Sequence, residues 1–486
     1  MRHLPHWRSS FVFDTKSVRH TVVEEDVREE FYPARNWPGE KALDHLEFAI
    51  KYDGINLALL CSLFRHIEAR ELADYILEHP VSIPRRKLWF LYEFLTQSVL
   101  PLADAAKGNY VELLNPEEYY TLKRGTRSPR HRVVNNLMGS VAFCPLIRRT
   151  ERLKALEYKN FTEQCACMLD AYPPELLRRA LSYLYTKETK SSFEIEHIKP
   201  SPSRTEKFIS LLTLAETEDF CQSERLLELQ NRIVDSRFAD TDFRSIQNYV
   251  GQTITCQKEI VHYICPKPED VHSLMDGLVE AHQKMSFGDI PAIVHAAAIA
   301  YGFVFIHPFS DGNGRIHRFL IHNVLARRSF TPKGLMIPVS AAMLKNPVAY
   351  DKSLEAFSRP LLQQIDYKLN QTGEMQVQNE TAHWYRYIDM TPQAEALLGF
   401  ISETISREVT TELDFLVMYD KAKRGIQEIV DLQDRQIDLF INLCIQNNGQ
   451  LSDRKRERHF NMLTETEIAG MEKAVKNSFS AYKDAK

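Results

Sequence analysis

Apolar residues recur at helical spacing along most of the chain. Within residues 42–102, Leu57, Leu60, Cys61 and Phe64 fall on one helical face, and RRKLWFLYEFLTQ is dense in apolar side chains. Its Trp89, Phe90, Tyr92 and Phe94 read as core rather than as a cofactor box. LLRRALSYLY repeats the amphipathic spacing within 173–186. Val271, Leu274, Met275, Leu278 and Val279 mark a helix that starts just after Pro268, and a further helix is expected from 290 to 305. Near the C-terminal end, Ile426, Ile429, Val430, Ile437, Phe440, Ile441 and Cys444 keep the spacing until Asn448-Gly449 stops it. Thr464 and Glu467 then stand as a capping box, with Leu463 and Ile468 spaced as a hydrophobic staple.

One central stretch breaks the helical pattern. In QNYVGQTITCQKEIVHYICP a polar segment joins two β-prone runs, 249–250 and 260–264, and predicts a hairpin. Residues 1–40 show no sustained periodicity and are expected as an irregular arm. The fold class that follows is mostly α, a helical core with a short β-hairpin, flanked by additional helical regions. The expected division is 1–40 (arm), 41–185 (helical), 186–367 (core) and 368–486 (helical).

Composition narrows the function classes. The 486 residues carry 61 Lys plus Arg against 65 Asp plus Glu, a formal charge of −4, which argues against nucleic acid or anionic membrane as the main partner. An anionic ligand would need a local site. Eight cysteines, with only Cys165 and Cys167 close together, suggest neither a disulfide framework nor a zinc site, and point to a cytoplasmic location. Both are expected as isolated buried thiols. MRHLPHWRSSFVF lacks a signal-peptide core, and no long uncharged apolar run suggests a membrane span. The basic run Arg454, Lys455, Arg456, Arg458 and His459 is expected as a solvated linker.

Chemistry is concentrated in FIHPFSDGNGRIHRFLIH, residues 305–322. Pro308 disfavours helical backbone at His307, so the preceding helix should end near Ile306 and leave the imidazole at a loop mouth. Phe309 can anchor that loop in the core. Gly312 and Gly314 allow a ligand close to the backbone where the next helix begins, and a helix N-terminus suits phosphate. Arg315 and Arg318 share a face and lean toward that end, and Asp311 stands where it could hold Mg²⁺ bridging phosphate oxygens.

The string resembles the Fic family signature H-P-F-x-[DE]-G-N-G-R-x-x-R at every defined position. The resemblance covers roughly residues 193–367. It implies a protein adenylyltransferase that moves AMP from ATP to a Ser, Thr or Tyr hydroxyl of a target protein, itself included. It also implies roles: His307 as general base, Asp311 on the metal, Gly312, Asn313 and Gly314 around the α- and β-phosphates. Arg315 and Arg318 would steady the outer phosphates, with Pro308 and Phe309 as structural anchors. A related branch with lysine in place of Gly314 transfers phosphate instead. The 249–265 hairpin resembles the family's target-binding flap, and a plain structural hairpin fits it nearly as well.

Ser192-Phe193-Glu194-Ile195-Glu196-His197 resembles the family's inhibitory-helix pattern [ST]-x-x-x-E-[GN], except that His197 replaces Gly or Asn. Glu196 would then pair with Arg318 and obstruct ATP. Alternatively, Ser191 and Glu194 form a capping box and Glu196 is a solvated first-turn acid. Two further functional readings stand beside autoinhibited AMP transfer: AMP removal or transfer of another phosphate-containing group by the same site, and a regulatory interaction protein. Homo-oligomerisation is compatible with all three.

Overall fold

The computed structural model describes residues 9–14, 18–24, 27–158, 160–255, 258–370 and 372–479. It is mostly helical, with four small sheets among the described residues. The chain opens with β1 (Ser9–Asp14), β2 (His20–Glu24) and β3 (Val27–Pro33), in spatial order β1-β3-β2. This corrects the irregular arm expected over 1–40. Polar residues interrupt the alternation that would mark a strand, and one of them, Glu30, is buried and accepts the Tyr32 hydroxyl at 2.7 Å. The Tyr32 ring in turn packs on Phe48 and Tyr52 at 5.4 and 5.2 Å.

Four helices follow: α1 (Ala42–Tyr52), α2 (Leu57–Phe64), α3 (Ala69–Glu78) and α4 (Ile83–Thr96). Leu57, Leu60, Cys61 and Phe64 are buried, and so are Trp89, Phe90 and Tyr92. A loop-rich stretch then holds a second sheet of β4 (Val111–Glu112), β5 (Thr126–Ser128) and β6 (Val133–Asn135). Next come α5 (Glu151–Tyr158), α6 (Phe161–Asp170), the long α7 (Pro174–Glu194), α8 (Pro202–Leu214) and α9 (Ser223–Ile233). Cys165 is buried as expected, whereas Cys167 is exposed on α6 because it lies two residues on, across the helix axis.

The predicted hairpin is β7 (Tyr249–Thr255) against β8 (Lys258–Ile264), with Tyr249 opposite Ile264. Beyond it lie α10 (Pro268–Phe287), α11 (Ala292–Ile306) and α12 (Asn313–Arg327). Pro268 takes the first turn of α10, where its missing N–H costs nothing. Apolar nearly all round, α11 is buried along almost its whole length and packs against α10, α12 and α16.

The remainder is α13 (Val339–Lys345), α14 (Pro347–Leu362), the hairpin β9 (Tyr367–Leu369) with β10 (Met375–Val377), α15 (Ala382–Arg386) and α16 (Thr391–Glu403). A π-helical turn at Thr404–Val409 leads into α17 (Thr410–Gln427), followed by α18 (Asp434–Gln446), α19 (Asp453–His459) and α20 (Glu465–Phe479).

One apolar core extends from Leu43 to Leu413, and a second, from Ala422 to Phe479, is built by α17, α18 and α20. The apolar spacing read across 426–444 is split between α17 and α18, leaving Ile429 exposed in the connection. Asn448 and Gly449, with φ of 54° and 84°, end that run as expected. The Thr464 capping box is present: the Glu467 carboxylate accepts the Thr464 N–H at 2.7 Å, and Thr464 Oγ1 accepts the Glu467 N–H at 3.2 Å. The basic run is a short exposed helix, α19, rather than a linker. Among the described residues no helix is long and apolar enough to cross a membrane.

Candidate active site

The site is built on the turn between α11 and α12. As Pro308 dictates, α11 ends at Ile306, and His307 takes a left-handed conformation with φ 53°. Phe309 is fully buried, its ring 5.5 Å from that of Phe243. Asn313 closes the turn: its Oδ1 accepts the Phe309 N–H at 3.1 Å and its Nδ2 donates to the Phe309 carbonyl at 2.8 Å. The Asn313 side chain thus braces the loop through both of its amide atoms. Gly312, with φ 91°, makes the sharp entry into α12 that a β-carbon would strain.

His307 is partly buried, with Nδ1 3.3 Å from the Val304 carbonyl. A carbonyl only accepts, so this contact places the proton on Nδ1 and leaves Nε2 as the acceptor. Burial, then the Arg244 guanidinium, push the imidazole down to about 4 against the opposing influence of the Val304 carbonyl and Asp311. The ring is neutral at pH 7. It is also a weaker base than the unperturbed histidine expected from sequence.

Arg315 and Arg318 sit on one face of α12, and both are buried rather than solvated. Arg318 donates from Nε to Ser192 Oγ at 2.9 Å and from Nη2 to Glu196 Oε1 at 2.6 Å. Arg315 donates from Nη2 to Asp311 Oδ1 at 2.8 Å, and its Nε lies 2.8 Å from Glu196 Oε2. Glu196 thus bridges both arginines rather than Arg318 alone. Its Oε1 occupies the space a β-carbon on Gly314 would need, at 2.5 Å.

Serines 191 and 192 lie in the last turns of α7, so the capping-box alternative is overturned: a helix ends there and none begins. The Ile198 N–H bonds the Phe193 carbonyl and the His197 N–H bonds the Glu194 carbonyl, a Schellman closure. His197 occupies the left-handed position of that motif with φ 56°. That geometry explains why a pattern would place Gly or Asn there, and histidine is among the residues that tolerate it.

Several contributors were missed by sequence reasoning. Asp240 accepts the Ser310 N–H at 2.9 Å and its hydroxyl at 3.0 Å, while Gln230 donates to the Asp311 carbonyl at 3.3 Å. Arg244 donates to the His307 carbonyl at 2.7 Å. All three lie more than sixty residues before the turn they support, where no local spacing could flag them. The guanidinium groups of Arg204 and Arg315 both lie over the Phe193 ring, at 5.2 and 5.4 Å.

The residues fit a polyphosphate. Arg315 Nη1 is buried with no hydrogen-bond partner among the described residues, and the first turn of α12 leaves N–H groups without intrahelical acceptors. For a metal, Asp311 is half exposed, with contacts described at Oδ1 alone. No group of three or more His, Cys, Asp or Glu capable of holding an ion stands among the described residues. A divalent cation here would need phosphate oxygens to complete its ligands.

Residues 220–325 match the Fic/DOC family model. This is narrower than the 193–367 expected from the resemblance and leaves Glu196 outside it. The chain is 34% identical over 125 residues to protein adenylyltransferase Fic of Culex quinquefasciatus, covering 25% of this chain and 22% of that protein. It is 28% identical over 137 residues to protein adenylyltransferase fic-1 of Caenorhabditis elegans, covering 27% and 24%. The chain therefore spans under a quarter of the length of these relatives. A solved Fic family protein from Desulfovibrio desulfuricans aligns over 64% of this chain and 87% of its own, at 19% identity and a TM-score of 0.39. The signature on the α11–α12 turn lies inside the matched segment, so residues 220–325 are a Fic/DOC-type domain within the chain.

Proposed function

We propose that this chain is a protein adenylyltransferase, held back by its own Glu196. The observation that carries the reading is a neutral imidazole at the mouth of a turn whose two buried arginines are bridged by one partly exposed carboxylate. Relatives named adenylyltransferase support the chemistry.

In this reading Nε2 of His307 accepts the proton of a target hydroxyl as its oxygen attacks the α-phosphorus of ATP. The bond from that phosphorus to the bridging oxygen breaks, and pyrophosphate leaves. Arg315 and Arg318 offset the charge that grows on the leaving group, and the start of α12 holds the phosphates in place. Asp311 would hold Mg²⁺, which supplies further charge neutralisation at the phosphate oxygens. Glu196 must first give up both guanidinium groups, because its carboxylate stands where a phosphate would be bound.

The hairpin β7–β8 stands at the same end of the site, with Ile246, Val250 and Ile260 exposed on and beside it. It suits an extended target segment added as a further strand. The free cysteines among the described residues suit a reducing compartment such as the cytoplasm.

The test is incubation of the full chain with α-labelled ATP and Mg²⁺, alone and with a cell lysate. Glu196→Gly should label itself or a lysate protein more strongly than wild type. Adding His307→Ala should lower that labelling by about a hundredfold or more. Labelling that stays absent in Glu196→Gly would sink the reading. A folded Glu196→Gly that labels more slowly, or that loses the ability to remove AMP from a labelled protein, would assign the site to AMP removal instead.

A further inference from the structure

Arg244 stands just before the hairpin and is buried, at 4% exposure. Among the described residues no carboxylate pairs with it, and its partners are backbone carbonyls. Nε donates to His307 O at 2.7 Å, Nη1 to Ile246 O at 2.9 Å, and Nη2 to Pro266 O at 2.8 Å and Ile306 O at 3.4 Å. Its own backbone N–H bonds the Pro308 carbonyl at 2.8 Å. Three of these acceptors are consecutive residues of the catalytic turn. The other two, Ile246 and Pro266, are the feet between which the hairpin rises.

A buried cation without a counter-charge is costly unless its donors are satisfied by something fixed. Here that something is the carboxyl end of α11, whose last carbonyls lack intrahelical partners and carry the negative end of the helix dipole. His307 meanwhile holds a left-handed conformation, which histidine tolerates at some cost and which surrounding contacts can stabilise. Arg244 supplies such contacts through the carbonyls on either side of the histidine and ties it to the hairpin.

We propose that Arg244 is a positioning residue that locks the His307 turn to the base of the hairpin, so that the proton acceptor and the bound target segment share one geometry. This rests on the reading of His307 as the general base. The charged groups that act on the imidazole are Arg244, which disfavours its protonated form, and Asp311, which favours it. Replacing the cation therefore has a signature that loss of packing alone would not give.

The experiment is a pair of substitutions in the full-length Glu196→Gly protein, Arg244→Met and Arg244→Lys. Two readouts are taken: the His307 titration by NMR of labelled histidine, assigned with His307→Ala, and AMP transfer from ATP as a function of pH. In Arg244→Met the His307 titration should move up by about one unit. Its kcat should fall by about a hundredfold, with KM for ATP within about twofold. Arg244→Lys keeps the charge and loses the fork, so its titration should stay near the parent while kcat falls by about tenfold. An unmoved titration in folded Arg244→Met, or parental kcat in either variant, overturns the proposal. Should Arg244→Met fail to fold, Arg244→Lys decides on kcat. Should the parent transfer no AMP, the function fails separately and the NMR arm still tests the coupling of Arg244 to His307.

Discussion

Two carboxylates about two helical turns apart, one within α7 and one just past its end, reach α12 in different ways. Glu188 is fully buried: its Oε2 accepts the Ser340 N–H at 2.9 Å, its Oε1 accepts the Ser340 hydroxyl, and His322 Nε2 lies 2.8 Å away. Glu196 remains 24% exposed and holds two arginines that keep other partners, Ser192 for Arg318 and Asp311 for Arg315. Nothing from solvent can replace Glu188, because the carboxylate itself is sealed in the core. In the proposed function a phosphate would replace Glu196, because it would offer the same guanidinium groups equivalent oxygens. On that proposal the same type of contact holds the fold together at one point and is exchanged at the other.

The largest expected effect is at the buried contact. Glu188→Ala leaves Ser340 without its acceptor, takes the carboxylate away from His322 and should lower the unfolding free energy by about 3–5 kcal/mol, read by chemical denaturation, without raising AMP transfer per folded molecule. Faster transfer with unchanged stability would erase the distinction. At the exchangeable contact, Glu196→Gly should bind ATP about tenfold more tightly, the equivalent of about 1.4 kcal/mol, measured by calorimetry. Its unfolding free energy should fall by no more than about 1–2 kcal/mol, because Arg318 keeps Ser192 and Arg315 keeps Asp311 as partners. Adding Arg318→Ala should remove most of the gain in affinity, since the released guanidinium is its source, and a double-mutant cycle measures how much. The smallest effect concerns the helix end that carries Glu196. His197→Gly relieves a left-handed conformation and should stabilise the chain by about 1 kcal/mol in a thermal melt, with basal transfer equal to or below wild type.

Legibility in the sequence followed the distance over which each feature is decided. The end of α11 at Ile306 was readable because Pro308 restricts its immediate neighbour, and the Thr464 cap because its two partners are three residues apart. Phe309 was readable as an anchor because an aromatic residue between two apolar helices has few other places to go. The three N-terminal strands were not readable, since the aromatic contacts that hold Tyr32 come from a helix beyond the sheet. Nor could the serine at the end of α7 be told from an N-cap, because Ser191 and Glu194 have the same spacing whether a helix starts or stops there.

By itself the sequence determined the helical class, the turn that carries His307 and the placing of Arg315 and Arg318 on one face of α12. Each of these depends on backbone restriction or side-chain period over a few residues, which operates whatever the rest of the chain does. Only the tertiary structure decided that Glu196 bridges two arginines, that Asn313 serves the loop, and that Arg244 joins the hairpin to the histidine. Those contacts join segments far apart in the chain, and they exist because core packing brings α7, the stretch before β7 and α12 together. No local pattern encodes which distant carbonyl or guanidinium a buried side chain will meet.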